Sequence, residues 1–387
     1  MTSISLNIKR LQHLLDLYSL TKEDFLLLLN KDRKRPLTQK DIFKSEIKID
    51  ILKKIDKIFN KGLNYYINPD DLTKSKDESI FFRKQQFNAD PNFASKKIIN
   101  QFEEEKISIT SISKLSDVNL DRLLQIYSIK DNPQHVAKEV SNSLYPKFNR
   151  DLKEFLKAII SKLADQNILV FEFVETWNKK EKANVEGIYL SPNVIVLKRL
   201  QKAFRREIFT LSHELGHYLI DEEEVDEKIS EYAVDYFSLN QIERWCNDFA
   251  FFFLAQDYSE IIGKLDIASE KNDYHNDILE TITERTNLSL IALYTRLLIN
   301  NKISQKNYKV IKEDLYKKFL AKEDEEKQKK ELEKATGKET KGSTPKPIQS
   351  PLLVKTMQFA FLEGIINEVE FCRRLKLKPN KLELFLQ

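Results

Sequence analysis

Glycine is scarce in this chain, with seven among 387 residues. None falls in the repeated spacing that cradles a phosphate, so a glycine-built nucleotide site is not expected. Cysteine is scarcer still. Two residues, Cys246 and Cys372, make no disulfide framework, and a reducing compartment is expected. No run approaches the roughly 20 apolar residues of a transmembrane helix. The opening residues Met1-Thr2-Ser3-Ile4-Ser5-Leu6-Asn7 lack the apolar core of a signal peptide. A cytoplasmic protein with no membrane partner is therefore expected. Neither sign of charge dominates: 64 basic residues face 60 acidic ones, and a net charge of +4 does not mark the whole chain as a nucleic-acid binder.

What the chain has in abundance is charge with helical periodicity. Charged residues make up 32% and apolar residues 41%, enough for at least one sizeable core beneath a heavily solvated surface. Residues 7–72 read as short helices. Leu11, Leu14, Leu15 and Tyr18 keep helical spacing, and Thr21 is a suitable N-cap for a second helix running to about Leu29. Arg33-Lys34-Arg35-Pro36 breaks the pattern, and a third helix carries Ile51, Leu52, Ile55, Ile58 and Phe59. Residues 78–165 read as helical, punctuated by Pro91, Pro133 and Pro146.

The period then changes. Residues 168–174 are β-branched and aromatic and read as a strand. Residues 187–190 and 194–197 add two shorter ones. Helices follow over about 201–220 and 239–255 and continue to about 320. The stretch 321–350 is charge-rich and ends in Gly342, Pro345, Pro347 and Pro351, which reads as a helical extension leading into a flexible linker. The expected fold is α+β and mostly α-helical, with about three strands beside one helix. The expected division is 1–75, a degenerate helix-turn-helix-like helical domain; 76–164, a connecting region; 165–320, the core; 321–350, the linker; and 351–387, a small helical unit.

One motif carries chemistry. His213-Glu214-Leu215-Gly216-His217 is an H-E-x-x-H sequence, and residues four apart on a helix share a face, so both imidazoles can bind one ion. Glu214 lies about 100° further round, where it can act as a general base on water at that ion. With five His in the chain, such a motif arises by chance at roughly the one-in-two-hundred level. Arg206, Thr210, His213 and His217 form one helical stripe, and Ile208, Leu211, Leu215 and Leu219 lie opposite, which suits a site in a cleft. The plainer alternative is a pair of surface or capping histidines without a metal.

A catalytic zinc takes three protein ligands and leaves one position open. No third His follows at the spacing of the longer motif, so a downstream carboxylate is expected. Glu243 is the first choice, because it heads a helix whose same-face partners are Asn247, Ala250 and Leu254. Glu222, Glu223, Glu224, Asp226, Glu227, Glu231, Asp235 and His275 are rivals, although 221–227 reads as a solvated loop. Tyr232, Tyr236 and Trp245 read as packing groups, and both cysteines as small core residues.

These residues resemble a known family. Arg206-Glu207-Ile208-Phe209-Thr210-Leu211-Ser212-His213-Glu214-Leu215-Gly216-His217, followed by Glu243-Arg244-Trp245-Cys246-Asn247-Asp248-Phe249-Ala250, is similar to the paired motifs of the ImmA/IrrE metallopeptidases. Cys246 stands where that family has Ala, and the run after Phe253 lacks its usual Leu-Met-Pro. The resemblance covers 165–255, with a weaker likeness over 280–315. It implies zinc held by His213, His217 and Glu243, with Glu214 as catalytic base. It also implies a site-specific endopeptidase acting on a protein, a helix-turn-helix transcriptional repressor. Residues 1–75 are candidates for DNA contact through Lys31, Arg33, Lys34, Arg35, Gln39 and Lys40, or for protein docking. The alternative function is a DNA- or protein-binding regulator whose zinc site is structural or idle. The intact Glu214 separates the two, because a structural site needs no base.

Overall fold

The computed structural model describes residues 3–31, 33–70, 79–83, 91–175, 182–199, 204–227, 236–335 and 347–380. The fold is mostly helical and α+β, as expected. The chain divides into two compact units, Met1–Glu103 and Glu104–Gln387.

In the first unit, β1 (Ser3–Ser5) leads to α1 (Ile8–Leu17) and α2 (Lys22–Asn30). A single helical turn, α3 (Gln39–Ile42), precedes β2 (Glu46–Lys48), α4 (Ile49–Phe59), α5 (Leu63–Ile67), α6 (Ile80–Arg83) and the first half of α7 (Phe93–Leu115), within which the boundary of the two units falls. The caps are those the side chains favour. Asn7 and Thr21 accept from the backbone N–H of Lys9 and Asp24 and so start α1 and α2. The core joins Leu11, Leu14 and Leu15 to Phe25, Ile42, Leu52, Ile55 and Phe59, and β1 pairs antiparallel with β2.

The second unit carries the motif. From the end of α7, residues 116–132 run without helix, inside the stretch 78–165 that reads as helical with proline punctuation; side-chain and backbone bonds rather than periodicity hold this segment. Arg122 Nε donates to the Leu124 carbonyl at 2.9 Å, and the Tyr127 N–H donates to the Leu219 carbonyl at 2.8 Å. Next come α8 (Pro133–Leu144), α9 (Leu152–Asp165), β3 (Leu169–Val174), β4 (Val185–Leu190), β5 (Val194–Arg199), α10 (Phe204–Ile220) and β6 (Val225–Glu227). A 3-10 turn at Tyr236–Ser238 opens the path into α11 (Gln241–Ala255).

The sheet order is β3-β5-β4-β6. β3 and β5 are parallel, and β4 is antiparallel to both β5 and β6. The fourth strand corrects part of the reading of 221–227 as a solvated loop: Asp221 and Glu222 are exposed and lie outside any helix or strand, whereas Val225–Glu227 is a strand. Val225 is fully buried and Glu224 nearly so, because one apolar residue in the acidic run gives the chain a reason to pair with β4.

Helices α12 (Tyr258–Lys264), α13 (Asn276–Thr286), α14 (Leu290–Ile299) and α15 (Gln305–Ala335) follow, and α16 (Pro351–Leu362) and α17 (Glu368–Arg374) complete the order. The expected linker falls partly on residues 336–346, which lie outside the described residues. Residues 347–350, expected within it, are instead anchored. Ile348 packs against the main core and its N–H donates to the Glu172 carboxylate, while α16 packs on α9.

No helix among the described residues is long and apolar enough to cross a membrane.

Candidate metal centre

Helix α10 lies between the sheet and α11, and that placement builds the site. On the sheet side, β4 has a glycine where the helix comes closest. A Cβ on Gly187 would stand 2.7 Å from the Thr210 methyl and 2.8 Å from Glu214 Cγ, and it would overlap the Glu214 carboxylate. On the other side, Gly216 meets Cys246. A Cβ there would lie 3.1 Å from Cys246 Cα and 3.2 Å from its Cβ. Two small residues at the crossing thus bring the axes of α10 and α11 close together.

The expected polar stripe of α10 exists, but it does not face an open cleft. Arg206 donates to Glu186 of β4 at 2.5 Å, Thr210 lies against Gly187, and His213, Glu214 and His217 are all at most 1% exposed. The sheet covers what periodicity alone leaves open.

The start of α11 supplies the carboxylate. Asn240 caps the helix by accepting from the Glu243 N–H at 2.8 Å, which fixes Glu243 in the first turn, three residues past the cap. There the helix dipole favours a negative charge. Its two oxygens divide between the histidines: Oε2 is 3.3 Å from His213 Nε2, and Oε1 is 3.4 Å from His217 Nε2. The two Nε2 atoms are 3.1 Å apart. Burial pushes the Glu243 carboxyl pKa up, but the hydrogen bonds and charge of His213 and His217 outweigh it and hold the group well below the carboxylate range.

His217 is further oriented. Its Nδ1 lies 3.0 Å from the Glu222 carbonyl. A carbonyl only accepts, so Nδ1 donates to it, and Nε2 is the ring nitrogen turned toward the other two groups.

His213, His217 and Glu243 form a buried group that could hold a metal ion, with one ligand atom from each residue and all three within 4.8 Å of one another. No other such group of His, Cys, Asp or Glu occurs among the described residues. Two of the rivals go elsewhere. Glu223 accepts from the Ser191 N–H at 2.9 Å, and His275 Nε2 sits 3.0 Å from the Asp266 carbonyl. Glu231, Asp235 and Tyr232 lie outside the described residues.

The aromatic groups have structural partners. Tyr236 donates to Asp248 at 2.8 Å, and Trp245 Nε1 donates to the Asp131 carbonyl at 2.8 Å. Cys246 and Cys372 are both buried, in keeping with small core residues.

Sequence reasoning did not single out Gly187, Asp221 or Arg122. Only Gly187 carries a signal, as a glycine interrupting a β-branched strand, which points to close approach. Compared with known protein-family models and with curated proteins, the chain matches none.

Proposed function

We propose that the chain is a zinc-dependent endopeptidase that makes site-specific cuts in a protein substrate. The observation that carries this is the triangle of ligand atoms at 3.1, 3.3 and 3.4 Å, with Glu214 one helical position from His213. Ligands about 2.0–2.1 Å from a tetrahedral ion are about 3.3–3.4 Å apart. The donor set of two imidazole nitrogens and one carboxylate suits zinc, and it leaves the fourth position to substrate chemistry.

The chemistry that bound zinc supplies is Lewis acidity toward water and toward a peptide carbonyl. Glu214 accepts a proton from the attacking water on a carboxylate oxygen and returns it to the departing amine nitrogen. Gly187 leaves the space in which that carboxylate sits. His217 keeps its lone pair on Nε2 through its bond to the Glu222 carbonyl.

A structural or idle site is the second reading, and near-complete burial favours it. Against it, structural zinc sites take four protein ligands. Three converge here among the described residues, and Glu214 stands one helical position from the first of them.

The substrate class follows from the resemblance to the ImmA/IrrE enzymes: a helix-turn-helix transcriptional repressor. The test is incubation of zinc-loaded protein with candidate repressors. A discrete fragment should form, and Glu214→Gln should retain zinc while cleavage falls at least about a hundredfold. Equal cleavage by that variant removes Glu214 as the base, and broad degradation of casein with repressors left intact removes the substrate class.

A further inference from the structure

We propose that Asp221 is a positioning residue for the metal centre, acting through the Glu222 carbonyl on the His217 ring. The inference rests on the reading of His213, His217 and Glu243 as a metal site.

Helix α10 ends in a Schellman turn. The Glu222 N–H donates to the His217 carbonyl at 3.1 Å, and the Asp221 N–H donates to the Tyr218 carbonyl at 3.2 Å. Such a turn requires one residue with positive φ, and that residue is Asp221 at +54°. Glycine is the usual occupant, since a side chain there costs about 1 kcal/mol or more. What aspartate adds is its carboxylate. Oδ1 accepts from Tyr189 Oη at 2.6 Å and from Ser191 Oγ at 3.1 Å, with Arg122 Nη1 at 3.7 Å.

Neighbouring groups close the clasp. Arg122 Nη2 donates to the Tyr218 carbonyl at 2.5 Å, and its guanidinium lies 3.8 Å over the Tyr218 ring. Glu223 accepts from the Ser191 N–H at 2.9 Å. The two residues flanking Glu222 are therefore both tied to the end of β4 and the turn that follows it. Between them, the Glu222 peptide is held at both ends of one loop: its N–H goes to the His217 carbonyl and its carbonyl receives His217 Nδ1. Fixing that carbonyl fixes which ring nitrogen of His217 carries the proton, and so which one is free to ligate.

The strained position also provides the test. Asp221→Gly relieves the backbone and removes the carboxylate, so a merely structural aspartate and a positioning one predict opposite results. Tyr189→Phe deletes the shortest bond to Asp221 from the other side. Asp221→Asn is the rescue, because asparagine tolerates positive φ and still accepts from Tyr189 and Ser191.

The first readout is imidazole nitrogen NMR on the full-length, zinc-free protein, which reads the proton position on the neutral ring. His217 should be the Nδ1–H tautomer in the parent and in Asp221→Asn, and a mixture in Asp221→Gly and Tyr189→Phe. The second is zinc affinity by chelator competition, which should fall about 10- to 100-fold in Asp221→Gly and Tyr189→Phe and recover in Asp221→Asn. Thermal stability of Asp221→Gly should match or exceed the parent. Parent-like tautomer and zinc affinity in both Asp221→Gly and Tyr189→Phe would overturn the proposal. Parent protein that takes up no zinc yet shows a clasp-dependent tautomer would overturn the metal reading and leave the clasp standing.

Discussion

A missing Cβ decides where the Glu214 carboxylate can stand. Gly187 has no special backbone angle to explain it; the reason is the Glu214 carboxylate and Thr210 methyl in the space a side chain would fill. Gly187→Ala must therefore push Glu214 aside or bend β4. Glu214 contributes no metal-ligating atom to the triangle, so zinc content should persist while cleavage drops at least about tenfold, since small misplacements of a reacting group are costly. Metal analysis alongside single-turnover cleavage checks this. Unchanged cleavage would mean that the strand yields without moving the base. The motif singles out Glu214 from sequence alone, because its place beside the histidines follows from spacing on one helix. Gly187 lies 27 positions earlier, and no local rule connects the two.

Two helices must cross closely for the third ligand to arrive. The contact of Gly216 with Cys246 sets the distance between α10 and α11, and the Asn240 cap sets which residue of α11 stands in its first turn. Gly216→Ala puts a methyl at 3.1–3.3 Å from Cys246 atoms, so the helices should separate by a few tenths of an ångström. Overpacking of this kind costs about 1–3 kcal/mol. Because Glu243 rides on α11, zinc affinity should weaken together with stability, as read by chemical denaturation and competition titration. A stability loss with unchanged affinity would show that Glu243 reaches the histidines by another adjustment. The sequence supports α10, α11 and their caps well, since these depend on residues within a turn or two of each other. It supports β6 poorly, because three residues in an acidic run become a strand only when β4 offers an unpaired edge.

Across the second unit, a buried charge cluster joins sheet, motif helix and C-terminal segment. Arg199 on β5 pairs with Glu172 on β3 at 2.6 Å and with Glu207 on α10 at 2.9 Å, and Glu172 also accepts from the Ile348 N–H. Two carboxylates share one guanidinium. Burial chiefly, opposed by Arg199 and aided by Glu207, raises the Glu172 carboxyl from 4.5 to about 7. A carboxyl raised on folding contributes stability that is complete below its unfolded value and lost as pH rises through the folded one. The parent should thus lose stability from this group between about pH 4.5 and 7. Glu172→Gln leaves a balanced Arg199–Glu207 pair and keeps an acceptor for Ile348. It should be more stable than the parent at pH 8 by on the order of 2 kcal/mol, and the advantage should vanish near pH 4. Urea denaturation across that range tests it, and a pH-independent difference would remove Glu172 as the titrating group.

Metal should act on the same unit. Free zinc at 100 times its dissociation constant adds about 2.7 kcal/mol to the form that binds it. A chelator should lower the melting midpoint of the parent by several degrees and leave His217→Ala unaffected, which calorimetry reads directly.

The amino-acid sequence by itself determined that His213 and His217 share a helix face with Glu214 beside them, because a 3.6-residue turn is imposed by the backbone wherever the helix forms. It also determined the mostly helical architecture and the three principal strands, through apolar periods of 3.6 and 2. Only the tertiary structure decided that Glu243 meets both imidazoles while Glu223 turns to Ser191 and His275 to the Asp266 carbonyl. It decided as well that the polar stripe of α10 lies under β4 instead of in an open cleft, and that an aspartate occupies the glycine position of a helix end. The physical reason is common to all three. A carboxylate chooses its partner by which surfaces the core brings together, and that core is assembled from apolar contacts spread from Val136 to Tyr308 that no short stretch of chain contains.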